Sequence, residues 1–426
     1  MNRPLADPRP DAGRPGGTAP RHTIPFGLID PAVHQDPDAC DAWRTLRDTH
    51  PVSWCEAEGD RPGFWVITRY QDIAAVYRDT ARLSSEQGNM LDTLLTGGDS
   101  AGGRMLVVTD PPRHAAVRKV LQGAFSARAM AQVADSVRTA TKDLVAAVVA
   151  AGGGDFVADV AAQIPLMAIC ELLDVPPADR TLMLDLTMAA MGADGTAEAA
   201  EAAADAQEDI LLYYAGLLPG RREFPGDDVV SLLANGEAGG KPLSDAEVLL
   251  NCYNIIIGGD ETTRLSSAGA VLALIDHPEQ WRRLREDEGL LDSAVEEVLR
   301  WTTPVTHLGR TATTDLTLRG CDIAGGDIVT LWNTSANRDP DVFPDPYRFD
   351  VARTPNRHLT LGHGPHFCLG GPLARVELRV MLEELRNQIG GLELAGPVER
   401  IRSSFLTGVS RLPIRCTAAG PAASSS

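Results

Sequence analysis

The run from about Ser244 to Ile275 most constrains this chain. It is the longest helix candidate, and it is apolar nearly throughout except at its middle. There the sequence reads IIIGGDETTRLSS (255–267). Two adjacent glycines, Gly258 and Gly259, each cost roughly 1 kcal/mol in a helix interior. Alone they read as a kink, or as a break with a new N-cap. Four polar residues follow at once, Asp260, Glu261, Thr262 and Thr263. An acid beside an alcohol in a buried groove is a proton-delivery device. The glycines leave room for a flat cofactor or a small gas to reach the backbone.

The rest of the chain is consistent with a mainly α fold with a minor β part. FWVIT (64–68) reads as a strand, and RYQDIAAVYRD after it has helical spacing. Residues 83–105 read as a long glycine-containing loop, a length that is usually functional. Residues 110–275 are mostly helical. A further helix covers about 291–301, strand-like runs follow in HLGRTATTDLTL and DIVTLWN, and a last helix spans about 371–389. A length of 426 residues suggests two or three domains. Helices and motifs interleave without a cut, so residues 25–418 are expected to form one domain. The Pro/Gly/Arg-rich lead 1–24 reads as disordered and 419–426 as a flexible tail.

A formal net charge of −19 argues against nucleic acid as a partner. Seven scattered cysteines without a CxxC fit a reducing cytoplasm. The lead has no apolar core of a signal peptide, and no segment reads as a membrane span.

Chemistry concentrates in LGHGPHFCLGG (361–371). A structural cysteine passes as a small hydrophobe among aliphatics; Cys368 sits in a bent loop crowded with glycine and histidine. Zinc held by His358, His363, His366 and Cys368 lacks a second cysteine and any finger spacing. A nucleophilic thiol needs a base, and His366 is only two residues away. A GxGxxG dinucleotide loop fails because position 367 is Phe. A thiolate ligand to haem iron needs one cysteine and surrounding amides, which this turn supplies. The helix that begins after Cys368 points its positive end back at the sulfur. Two further pairs are weak signals alone. Glu297 and Arg300 read as an exposed helix pair or, if buried, as part of a larger network. His114 and Arg118, four apart, read as a solvated face or as a cationic pair for an anion.

Together these residues resemble one family, the cytochrome P450 monooxygenases of the soluble bacterial type. LGHGPHFCLGGPLARVE is similar to its cysteine loop, GGDETT to its oxygen-activation motif, and EVLR to its ExxR. DPPRHAAVRK, RTA (310–312), ANRDP and FPDPYRFD match further family motifs in the family's order, from about Pro51 to the C-terminus.

The resemblance implies haem b with Cys368 as axial thiolate. His114, Arg118, Arg310 and His366 are implied to contact the propionates. Gly258, Gly259 and Gly370 lie against the cofactor. Glu261 and Thr262 match the acid–alcohol pair, with Asp260 as a second carboxylate at a variable position. Glu297, Arg300 and Arg348 are implied to form a structural network. Electrons are implied to come from NAD(P)H through a ferredoxin reductase and a ferredoxin that docks on the cysteine side of a monomer, with Arg113, Lys119 and Arg357 as candidate contacts. Family topology places Met90, Leu91, Leu94, Ile255, Val305, His307 and Leu406 around the substrate.

The expected reaction is hydroxylation of a medium-sized, largely apolar natural-product intermediate. A peroxide-driven peroxygenase and a non-catalytic haem sensor are the alternatives; the intact acid–alcohol pair argues against both. One departure stands out: the family's usual Phe at the start of the cysteine loop is Leu361, which bears on how the thiolate is shielded.

Overall fold

A computed structural model describes residues 23–24, 26–35, 39–191 and 197–420. The lead expected over 1–24 and the tail expected over 419–426 lie almost wholly outside them.

The fold is mainly α with a minor β part. The central helix spans Asp245–Asp276 without interruption, so Gly258 and Gly259 neither break it nor start a new one. Ser244 caps it in a capping box with Glu247, two orphan donors satisfied reciprocally. Most of its residues are buried on all sides, as an all-round apolar helix requires. Gly259 permits one close approach: a Cβ there would lie 2.8 Å from Ile169 on the helix Gln163–Leu172.

The principal sheet has six strands, ordered Thr23–Ile24, Val52–Cys55, Phe64–Ile67, Ile328–Leu331, Leu308–Ala312 and Leu83–Ser84. Phe64–Ile67 is buried at every position, as a run of aromatic and β-branched residues favours. Its neighbour Ile328–Leu331 pairs antiparallel with Leu308–Ala312, and the register sets Arg310 opposite Val329.

The segment 83–105 is not the open loop that its glycines suggest. It carries the strand Leu83–Ser84 and the short helix Leu91–Leu95. Leu91, Leu94 and Leu95 bury into a core cluster with Trp43 and Trp332, and that burial makes the turn helical. Asn251 of the central helix ties down the far end of the segment. Its side chain accepts from Leu106 N (2.9 Å) and donates to Arg104 O (3.0 Å).

The helix Leu291–Thr302 carries the ExxR pair, and both of its side chains are fully excluded from solvent. Arg300 donates twice to Glu297 (2.8 Å each), and also to the carbonyls of Asn337, Pro346 and Arg348. The exposed-pair reading therefore fails. The network also corrects one member. Arg348 joins only through its carbonyl and is itself exposed, whereas Arg353 Nε lies 3.0 Å from Glu297. The turn after Phe349 brings 353 back over the helix and leaves 348 pointing outward. Removing Arg353 as Arg353→Leu leaves Glu297 under-paired and is expected to cost about 3 kcal/mol. Arg348→Ala is expected to stay within about 0.5 kcal/mol. Urea unfolding of the two variants measures the difference.

Candidate active site

The cysteine loop, the central helix and the helix Arg113–Leu121 enclose a cavity of about 890 Å³, open mouth included. Cys368, Gly370, His366, His114, Arg118, Gly258, Gly259, Thr262 and Ile255 all border it. Residues 110 to 370 of the sequence thus converge on one space.

The loop is bent sharply enough to require glycine at Gly364. Its φ is +71°, and a Cβ there would lie 2.8 Å from the Tyr77 carbonyl. Cys368 follows, its N–H donating to Leu361 O (2.8 Å). Burial pushes the Cys368 thiol up. The Gly370 amide opposes this most strongly, then Arg118, Arg375 and the Gly371 amide. The amides and the helix start at Gly371 therefore favour the thiolate as expected, but burial outweighs them until a cation faces the sulfur.

At the cavity edge lies a cluster of basic groups, of which His114, Arg118 and His366 border the cavity and Arg310 does not. The rings of His114 and His366 are 4.1 Å apart. Burial, then Arg118 and, more weakly, Arg310, lower His114 to about 4, against an opposing pull from Asp110. Burial, then Arg310, His114 and Arg118, lower His366 to about 3. Burial also holds the Arg118 and Arg310 guanidinium groups below their ordinary values. His366 Nε2 is buried without a partner among the described residues. These basic groups, the guanidiniums depressing the two imidazoles and one ring nitrogen without a partner among the described residues, lack an anion. The two propionates of a haem fit that deficit, and a thiol backed by amides fits its iron. Among the described residues no three of His, Cys, Asp and Glu are grouped to hold a metal ion, so the zinc reading has no donor set.

On the central helix, Thr262 Oγ1 donates to Gly258 O (2.9 Å), and nothing lies within 4 Å of a Cβ built at Gly258. The acid and the alcohol do not bond to each other. Both Glu261 oxygens are taken by Arg264, one of them at 2.9 Å from Nε. Asp260 accepts from Thr187 of the helix Arg180–Met191 (3.1 Å), and its other oxygen is buried without a partner among the described residues. Burial, then Glu261, raises Asp260 to about 7, against Thr187 and Arg264. Neither carboxylate borders the cavity; Thr263 does. Behind Thr263 lies the fully buried Glu377. Burial raises its carboxyl to about 8, opposed by the Thr263 hydroxyl, which closes no well-formed hydrogen bond.

Sequence reasoning missed Arg264, Glu377 and Arg353. Two of them left a signal. Glu261 and Arg264 repeat the ExxR spacing, and Glu377 is one helical turn from the cavity-lining Leu373.

Of the expected pocket residues only Ile255 borders the cavity. Leu91 and Leu94 face the Trp332 core, and Met90 is the residue that precedes their helix. Val305 and Leu406 bridge each other's backbone, and His307 packs against the rings of Trp332 and Phe405. Leu106, Val107, Phe125, Ile169 and Asn254 line the space instead. Among the candidate docking cations, Lys119 and Arg357 are exposed. Arg113 is engaged by Glu247 and the Ala238 carbonyl.

Comparison with known proteins fits this geometry. The Cytochrome P450 family description matches residues 223–386. The chain is 45% identical over 399 residues to cytochrome P450 NovI of Streptomyces niveus, covering 94% of this chain and 98% of NovI. The chain belongs to the cytochrome P450 family. It is also 34% identical over 402 residues to the steroid C26-monooxygenase of Mycolicibacterium smegmatis, covering 92% and 96% of the two chains. The crystal structure of P450 OxyD, which is involved in the biosynthesis of vancomycin-type antibiotics, superposes with a TM-score of 0.83 at 37% identity. It covers 92% of this chain and 99% of its own. The protein is thus a P450 monooxygenase of a haem-thiolate family. No described helix is long and apolar enough to cross a membrane.

The buried carboxyl of Asp260 gives a pH test. Its raised value contributes stability that is complete below about pH 4 and is lost as the pH rises through about 7. Asp260→Asn removes that loss. Relative to the parent protein the variant is expected to gain stability between about pH 4 and pH 7, as read by urea unfolding across that range.

Proposed function

We propose that the protein hydroxylates a medium-sized, largely apolar intermediate of natural-product biosynthesis, with Cys368 as the thiolate that would hold the iron of haem b. The observation that carries this is the convergence of Cys368, His114, Arg118, His366 and Thr262 on one mostly apolar cavity. The antibiotic-biosynthesis role stated for OxyD supports the substrate class.

When bound, the haem supplies oxygen activation, with the thiolate's electron donation favouring O–O cleavage. The chain's own residues do the rest. Arg118, Arg310, His114 and His366 would hold the two propionates, and these anions would in turn satisfy the cluster. The Gly370 and Gly371 amides hold the sulfur as thiolate. Thr262 keeps a proton at Oγ1 on the cavity wall, placed on the Gly258 carbonyl between turnovers. Asp260 stands behind it as the buried reserve of protons, while both Glu261 oxygens are engaged by Arg264. Leu106, Phe125 and Ile169 exclude water and offer apolar contact.

Electrons come from NAD(P)H through a ferredoxin reductase and a ferredoxin. The ferredoxin docks on the cysteine-loop side of a cytoplasmic monomer, where Lys119 and Arg357 are exposed cations.

The carbon monoxide difference spectrum of the dithionite-reduced protein is expected to show a strongly red-shifted Soret band. Cys368→Ser is expected to lose it; retention of the band in that variant overturns the assignment. Thr262→Ala is expected to keep the band and to consume NAD(P)H at a rate within about threefold of the parent, but to release peroxide in place of product. Well-coupled turnover by this variant removes Thr262 from proton delivery.

A further inference from the structure

The cavity is walled mostly by apolar side chains, and most of the polar ones that border it are already committed. His114, Arg118, His366 and Cys368 form the site for the haem. Thr262 donates to the Gly258 carbonyl, and Thr263 faces Glu377. Asn251 is spent on backbone: it accepts from Leu106 N and donates to the carbonyls of Arg104 (3.0 Å) and Glu247 (2.7 Å). Asn254 is the exception. It is half-buried on the central helix and borders the cavity, and its carboxamide bonds to no other described residue. It shares that wall with Leu106, Phe125, Ile169 and Ile255. Asparagine suits a helix interior less well than leucine, so helix formation does not account for it. Asn254, Gly258 and Thr262 follow at intervals of four on one face of the helix. Asn254 therefore lies one turn, about 6 Å, from Gly258 and two turns, about 12 Å, from Thr262 along the axis.

We infer that Asn254 anchors the substrate, and that the group it holds is neutral and both donates and accepts a hydrogen bond, as a carboxamide or a hydroxyl does. That group is separated from the oxidised carbon by an apolar span of roughly 6–12 Å, one to two turns of the helix. The inference rests on the haem-thiolate reading of the cavity and deepens its substrate class. A wholly apolar guest would strip water from the Asn254 amide and leave it unpaired. A site with an unspent donor and acceptor therefore selects against the analogue that lacks the partner. A carboxylate is the poorer fit. Among the described residues, the cations that border the cavity are the ones assigned to the propionates, and a single amide brings an anion no opposite charge.

The test is optical titration of the purified holoprotein with tailed imidazoles, which bind haem iron through a ring nitrogen and bring a tail of known length into the cavity. The probes are ω-(imidazol-1-yl)alkanamides with tails of three to seven carbons, each compared with the 1-alkylimidazole of equal length. At the best-fitting length, Asn254→Leu is expected to lower the ratio of amide to alkyl affinity about tenfold. A change that weakens both probes equally marks a structural role and overturns the inference, as does a ratio unchanged at every length. The carboxylate of the best-fitting length is expected to bind less tightly than its amide; a tighter carboxylate overturns the neutral class. If Asn254→Leu does not hold haem, Asn254→Ala is titrated in its place and judged by the same ratio. The parent protein's carbon monoxide band tests the haem reading separately. A missing band removes the premise, whereas a normal band with no binding of any tailed imidazole overturns the anchor alone.

Discussion

Glu297 and Arg300 are both shut off from solvent, and charges so placed are tolerated only with a full set of partners. Meeting that demand ties down the cysteine side of the molecule. Arg300 uses carbonyls from 337, 346 and 348, and Glu297 takes Arg353, Asn356 and the amide of Asp350. Asn337 then passes the constraint on. It accepts from Leu359 N (2.7 Å) and donates to Thr360 (2.9 Å), immediately before the loop that carries Cys368. The irregular, proline-rich stretch from 336 to 355 is thus held by polar contacts that regular secondary structure would otherwise supply.

The cavity next to that loop is electrostatically incomplete as protein alone. Two guanidinium groups and two imidazoles crowd together, each made less basic by burial and the two imidazoles also by the neighbouring charges. A folded chain gains nothing from such a cluster unless a dianion arrives. The buried thiol has the opposite deficit and lacks a cation. One ligand that is anionic at its edge and cationic at its centre removes both. Binding and folding are then linked, because a group that binds only the native state stabilises it by mass action.

Much of this was legible in the sequence because the signals were local. The central helix, the ExxR spacing and the cysteine loop are each contiguous, and the structure places their expected boundaries within a residue or two. What was not legible depended on residues far apart in the chain. That Arg353 and not Arg348 reaches Glu297 follows from the path of a turn. That Leu91 and Leu94 face Trp332 and not the cavity follows from how 83–105 folds back on the sheet. The coupling of Asp260 to Thr187 joins positions 73 residues apart.

The sequence by itself determined the chemistry: one thiol in a glycine-bent loop, an alcohol beside acids in an apolar helix, and cations spaced along a helix face. These are properties of residue type and short-range spacing. The tertiary structure decided which acid is tied up and which is left to titrate. Glu261 is clamped by Arg264, while Asp260 is buried with one oxygen that has no partner among the described residues. Burial and partner geometry, which set both outcomes, exist only once the distant segments have met.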